Sequence, residues 1–130
     1  MFNEMIIREG SVRHLVSEGG EVTGFELDTH IPYYRGLGLS MIEVPEVVVD
    51  GVAVDEVDLR FVYNGVSRTF AELADVSDVR WELRTFAQIQ VLRPGGLAAG
   101  EHEIHVNLRL RVSYLPILSE NRFTRTVTIA

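Results

Sequence analysis

His102-Glu-Ile-His-Val-Asn-Leu-Arg-Leu-Arg-Val-Ser-Tyr114 alternates without a break. His102, Ile104, Val106, Leu108, Leu110, Val112 and Tyr114 share one phase; Glu103, His105, Asn107, Arg109, Arg111 and Ser113 share the other. Successive side chains of an extended chain point to opposite faces, so apolar residues in one phase of period two mark a half-buried strand. The same pattern recurs outward from this stretch. In residues 22–31, Phe25, Leu27, Thr29 and Ile31 oppose Glu26, Asp28 and His30. In residues 81–93, Trp81, Leu83, Thr85, Ala87, Ile89 and Val91 oppose Glu82, Arg84, Phe86, Gln88, Gln90 and Leu92. In residues 123–130, Phe123, Val127 and Ile129 are in phase.

Two further stretches read as hairpins. Val47-Val-Val49 and Val52-Ala-Val54 flank Asp50-Gly51, and residues 59–63 and 66–70 flank Asn64-Gly65. Tight hairpin turns need two residues at positive φ, which Asn, Asp and Gly adopt most readily. Only Phe70-Ala-Glu-Leu-Ala-Asp75 looks helical, and Pro94-Gly-Gly-Leu-Ala-Ala-Gly100 reads as a turn. The sum is an all-β chain of about eight short strands, with less than about a tenth of it helical. A two-sheet antiparallel β-sandwich is the expected solution, with a closed barrel as the alternative.

The 130 residues predict a single domain over 1–130, large enough to support its own core. A formal charge of −7 argues against nucleic acid or an anionic membrane as partner. All 12 basic residues are arginine, so no lysine base, Schiff-base lysine or P-loop lysine exists here. The absence of cysteine removes disulfides, thiolate nucleophiles and Cys-bound zinc. The first ten residues carry Glu4 and Glu9 and no long apolar core, unlike a signal peptide, and no apolar run reaches the ~18 residues of a membrane span. A cytoplasmic protein is expected.

Candidate chemistry is sparse. His102 and His105 are three apart on a strand and point to opposite faces, and His14 and His30 stand apart from them. The acidic residues of 55–58 read as a solvated loop beside a hairpin. Gly36-Leu-Gly38 lacks the third glycine of a dinucleotide loop, Ser40 lacks the closing glycine of a nucleophile elbow, and Pro94–Gly100 lacks a P-loop Lys-Ser/Thr. Trp81 and Tyr114 fall in phase with apolar neighbours and read as core. The concentration of chemistry lies in Pro32, Tyr33, Tyr34, Arg35, Gly36, Gly38 and Met41. Tyr, Arg and Met are enriched where protein surfaces meet. Two readings of this segment compete: a lid folded back on the core, or a loop facing a partner or an active site.

The order of these pieces resembles the small beta subunit of bacterial C-glycoside deglycosidases. The likeness rests on Ile31-Pro-Tyr-Tyr-Arg-Gly-Leu-Gly-Leu-Ser-Met-Ile-Glu43, Val49-Asp-Gly51, Asp78-Val-Arg-Trp-Glu82, and Arg93-Pro-Gly-Gly-Leu-Ala-Ala-Gly-Glu-His-Glu-Ile104 running into Leu108-Arg-Leu-Arg-Val-Ser-Tyr114. It spans the chain from about residue 24 to the C-terminus. The resemblance implies a β-sandwich bound to a TIM-barrel alpha subunit that carries a divalent metal, manganese in most members. It implies a two-subunit carbon–carbon lyase of flavonoid C-glycoside catabolism. The pair would cleave the bond between a 3-oxo sugar and an aromatic, flavonoid-type aglycone. A histidine of the large subunit would take the sugar C2 proton, and the metal would stabilise the enolate. No catalytic residue and no cofactor is carried over to this chain, and no activity is expected of it alone. The alternative is a free-standing carbohydrate-binding or protein-interaction sandwich, with Tyr33, Tyr34 or Trp81 stacking on sugar rings.

Overall fold

The computed structural model describes residues 3–33, 35–112 and 117–130. Strand takes about half of the chain and helix about a tenth. The described residues form eleven strands: β1 Arg13–Val16, β2 Val22–His30, β3 Leu37–Gly38, β4 Glu46–Val49, β5 Val52–Ala53, β6 Leu59–Tyr63, β7 Val66–Arg68, β8 Arg80–Trp81, β9 Phe86–Leu92, β10 Gly100–Leu110 and β11 Ser119–Ile129. One short helix, α1 Phe70–Leu73, lies between β7 and β8. Two antiparallel sheets carry the fold, one in the order β1-β2-β9-β6-β7 and the other β11-β10-β4-β5; β3 and β8 form a separate two-stranded ribbon.

Both hairpins close as their sequences demand. Asp50 and Gly51 sit at φ 51° and 82°, and Asn64 and Gly65 at 50° and 78°. Two consecutive positive φ values match the right-handed twist of the flanking strands. The inward phases meet in one core. Phe25 and Leu27 of β2, Phe61 of β6 and Ile89 of β9 are fully buried, as are Ile104, Val106 and Leu108 of β10. At one end Phe61 packs edge-on against Trp81 (5.4 Å between ring centroids) and against Phe70 (5.7 Å). Such edge-to-face contacts add to the burial of the rings themselves. The N-terminal segment bridges the two sheets: the Arg8 amide donates to the Asp28 carbonyl of β2, and Arg125 Nε of β11 donates to the Ile7 carbonyl.

Three sequence expectations need correction. Residues 81–93 are not one strand. β8 ends at Trp81, and the chain turns before β9 starts at Phe86. Thr85 causes the break: its amide and its hydroxyl both donate to the Glu82 carbonyl, at 3.2 and 2.9 Å. The Glu82 amide donates to the Tyr63 hydroxyl instead of to a strand. The phase nevertheless survives, because Trp81, Ala87, Ile89 and Val91 are all buried. The last strand begins at Ser119 rather than Phe123, since its first residues are polar and carry no apolar alternation. The helix is shorter than 70–75; it stops at Leu73. Tyr114 lies outside the described residues, whereas Trp81 is core as expected.

Candidate partner-facing site

The segment from Pro32 to Met41 leaves the end of β2 and crosses the end of the sandwich. Ile31 and Pro32 are buried, so the entry is fixed by packing as well as by the proline ring. Tyr33 is half-buried and packs on the core. The Arg35 guanidinium lies 5.7 Å from the Tyr33 ring centroid, within reach of a cation–π contact. Gly36 is buried, and Arg80 Nη2 donates to its carbonyl at 2.7 Å. Leu37 then pairs with Trp81 and Gly38 with Arg80 across the β3–β8 ribbon. Leu39–Met41 forms a 3-10 turn anchored by the Leu39 amide on Val79 and the Ser40 amide on Val76. The Arg111 amide donates to the Met41 carbonyl at 2.7 Å, joining the segment's far end to the chain beyond β10.

The segment is therefore part anchor and part surface. Leu37 and Leu39 belong to the core, while Tyr33, Arg35, Gly38 and Met41 stay half-exposed. Tyr34 lies outside the described residues. The two glycines differ. A Cβ on Gly36 would fall 2.6 Å from the Trp81 carbonyl oxygen, so that position needs glycine for close approach. A Cβ on Gly38 would meet nothing closer than 3.9 Å, and its φ of −60° suits any residue. Sequence reading missed Arg80, whose side chain holds the segment by a backbone acceptor, and the backbone amide of Arg111; a lone arginine in a strand gives no signal of the first, and any residue with an amide could supply the second.

The titratable groups are spread over the fold. His102 Nδ1 lies 2.6 Å from Asp50 Oδ2 and its Nε2 lies 2.7 Å from the Ala98 carbonyl. The bond to Asp50, then the one to Ala98, raises the His102 pKa above its ordinary value. Asp50 is held below the usual carboxylate range by His102 and by the Glu103 amide. His105 reaches Thr124 on the opposite face of β10, and His14 accepts from the Leu97 amide. Asp55 caps the 56–58 turn through the Val57 amide, so that acidic stretch is a turn. Among the described residues no three His, Asp or Glu side chains converge as metal ligands. Trp81 is fully buried and its Nε1 donates to the Thr85 carbonyl, so it offers no ring to a sugar. No helix among the described residues is long and apolar enough to cross a membrane.

The described part of the molecule is thus an antiparallel sandwich with one anchored, Tyr- and Arg-bearing end. Its family is shown by sequence: residues 2–114 match the model of the C-glycoside deglycosidase beta subunit, and the chain belongs to that family. It is 36% identical over 118 residues to the 3'-dehydrocarminate deglycosidase beta subunit of a Microbacterium species, covering 90% of this chain and 83% of that one. It is 31% identical over 113 residues to the C-glycoside deglycosidase beta subunit of Eubacterium cellulosolvens (87% and 77% covered). Against the protein of the same description from Arthrobacter globiformis it is 31% identical over 115 residues (88% and 83%). The family name makes this chain one subunit of a multi-subunit assembly.

Proposed function

We propose that this chain is the non-catalytic but required beta subunit of a cytoplasmic, heteromeric C-glycoside deglycosidase. Its partner is a TIM-barrel alpha subunit that supplies the base and a divalent metal, Mn2+. The complex cleaves the carbon–carbon bond between a 3-oxo sugar and an aromatic aglycone by elimination from an enolate. The family match over residues 2–114 carries this reading.

In this reading the chain's own residues position rather than react. Tyr33, Tyr34, Arg35 and Met41 face the mouth of the partner's active site, and Pro32, Gly36 and Gly38 shape the backbone that presents them. Tyrosine offers a wide ring with a polar tip, and arginine offers donors in a fixed fork, both at low ordering cost when already anchored. The Arg80 bond to Gly36 and the Arg111 bond to Met41 supply that anchoring.

The test is reconstitution. The chain is purified with and without its cognate alpha subunit and supplied with 3-oxo-C-glycosides, 3'-dehydrocarminate among them. Turnover is expected from the pair and not from this chain alone. Arg35→Ala should weaken assembly or lower turnover while the chain stays folded. Equal turnover by the alpha subunit with and without this chain would refute the reading.

A further inference from the structure

The chain's negative charge is not evenly spread. Residues 50–78 hold seven carboxylates against Arg60 and Arg68, a formal −5 out of −7 for the whole chain. Two of the most exposed large apolar side chains lie within this stretch: Val52 is 69% exposed and Val57 70%. They flank two shallow hollows that share Asp55 in their walls. One, of about 520 Å³, is lined by Val57, Ala71 and buried Phe70, with Asp55, Glu56 and Arg60 at its polar wall. The other, of about 380 Å³, lies between β5 and the end of β9.

The local cations neutralise this face only in part: Arg60 lines the larger hollow and Arg93 the other, against Asp55 and Glu56 in the first and Asp50, Asp55 and Asp58 in the second. Arg60 turns its Nη1 to the carbonyls of Val57 and Leu59. None of Asp55, Glu56 and Asp58 makes an ion pair among the described residues. An apolar patch bordered by carboxylates that make no ion pair among the described residues (Asp55, Glu56 and Asp58) fits a partner that brings an apolar side chain flanked by cations. A second copy of this chain does not fit, because a two-fold interface would set the same carboxylates against themselves. The face is also continuous with the segment described above: α1 lies against the 39–41 turn, and the Ser40 amide bonds Val76 just beyond α1.

We propose that Val52, Val57, the Phe70 hollow and their surrounding carboxylates form a second docking surface for the partner subunit, entered by an apolar side chain flanked by Arg or Lys. The proposal rests on the reading of this chain as a subunit. It makes the contact extend from the Tyr33–Arg35 end across α1 to β5. Long-range attraction of this kind speeds encounter and weakens with salt.

The experiment measures association of the full-length chain with its purified cognate alpha subunit by biolayer interferometry. Affinities are taken at about 50 and about 500 mM salt, a range across which surface charge is progressively screened. The variants are Val57→Glu, Glu56→Arg and, in parallel, Arg35→Ala. Val57 and Glu56 are exposed and Arg35 is half-exposed at the surface, so all variants are expected to keep the wild-type circular dichroism spectrum. Val57→Glu and Glu56→Arg should each raise Kd at least about tenfold at low salt, and Glu56→Arg should also reduce the salt dependence. Unchanged Kd and salt response in both, with a weakened Arg35→Ala, would overturn the acidic surface and leave the loop contact standing. The reverse pattern would support the acidic surface and reject the loop contact. No binding by the wild-type chain would reject both.

Discussion

Replacing Gly36 by alanine puts a methyl group where the Trp81 carbonyl already lies. The added Cβ would sit 2.6 Å from that oxygen and 3.3 Å from Glu82 Cα. Cβ atoms essentially never come within 3.0 Å of another heavy atom, so the two backbones must separate by at least about 0.4 Å. They have little freedom to do so. The next residue, Leu37, pairs with Trp81 in the β3–β8 ribbon, and Arg80 Nη2 bonds the Gly36 carbonyl at 2.7 Å. Overpacking at a constrained site costs about 1–3 kcal/mol. For a chain of this length that is roughly 4–12 °C in Tm. Gly38 is the internal control. Alanine there meets only ordinary contacts at 3.9 Å, with φ at −60°. Gly38→Ala should stabilise by roughly 0.4–1 kcal/mol, by narrowing the unfolded ensemble. Thermal unfolding followed by circular dichroism gives both values, and co-purification with the alpha subunit reads the effect on the segment. A Gly36→Ala protein melting within a degree of wild type, or the two variants behaving alike, would refute the claim that close approach at Gly36 fixes the segment.

Other perturbations test the surrounding fold. Trp81→Ala removes the edge contact to Phe61 and the donor to Thr85, and should cost about 3–5 kcal/mol in denaturant titration. Thr69→Ala breaks the reciprocal cap of α1, in which Thr69 and Glu72 each bond the other's amide, and should cost about 1 kcal/mol. His102 has an acceptor on each ring nitrogen, so its charged form is the satisfied one and its pKa is raised. Its stabilisation is full below the ordinary pKa near 6.5 and fades as pH rises through the raised folded value. The lowered pKa of Asp50 adds stability above the usual carboxylate range, lost as pH falls through its folded value. An NMR titration should place the His102 midpoint above 6.5, and His102→Gln should flatten the loss of stability above neutral pH; a midpoint at or below 6.5 would remove the basis for both.

What the sequence made legible followed from local rules. Asp50-Gly51 and Asn64-Gly65 announce their turns because few other residues accept positive φ twice in succession. The inward phases of β2, β9 and β10 were readable because one face of each is buried. The third ribbon was not: β3 and β8 have two residues each, too few for any period to show. The interruption at Glu82–Thr85 was hidden because the turn preserves the phase, and it depends on the Tyr63 hydroxyl, 19 residues away from Glu82. The 32–41 segment was visible as a concentration of residue types, and the adjacency of Tyr33 and Tyr34 suggested one anchoring and one outward side chain, but which other residues anchor it was not visible. That Leu37 and Leu39 belong to the core, and that Gly36 rather than Gly38 is tight, depends on strands brought alongside from residues 80–81.

If the segment meets the partner as proposed, its double nature as anchor and surface ties assembly to stability. Arg35 and Met41 sit on a backbone held by Arg80, Trp81, Val79 and Arg111, and those contacts lead directly to the Trp81–Phe61–Phe70 aromatic cluster. A partner that grips the surface of this segment need not first order it, so little of the contact energy is lost to entropy. The same partner binds the folded chain and not the unfolded one. At a hundredfold excess over Kd such binding adds about 2.7 kcal/mol to the stability of the chain, enough to offset most of the smallest loss expected for Trp81→Ala. Trp81→Ala should therefore unfold at clearly lower denaturant than wild type when alone, and recover much of the difference when mixed with excess alpha subunit. Recovery should fail when Arg35→Ala is added to the same chain. Equal recovery with and without Arg35 would mean that the partner senses the fold through some surface other than this segment.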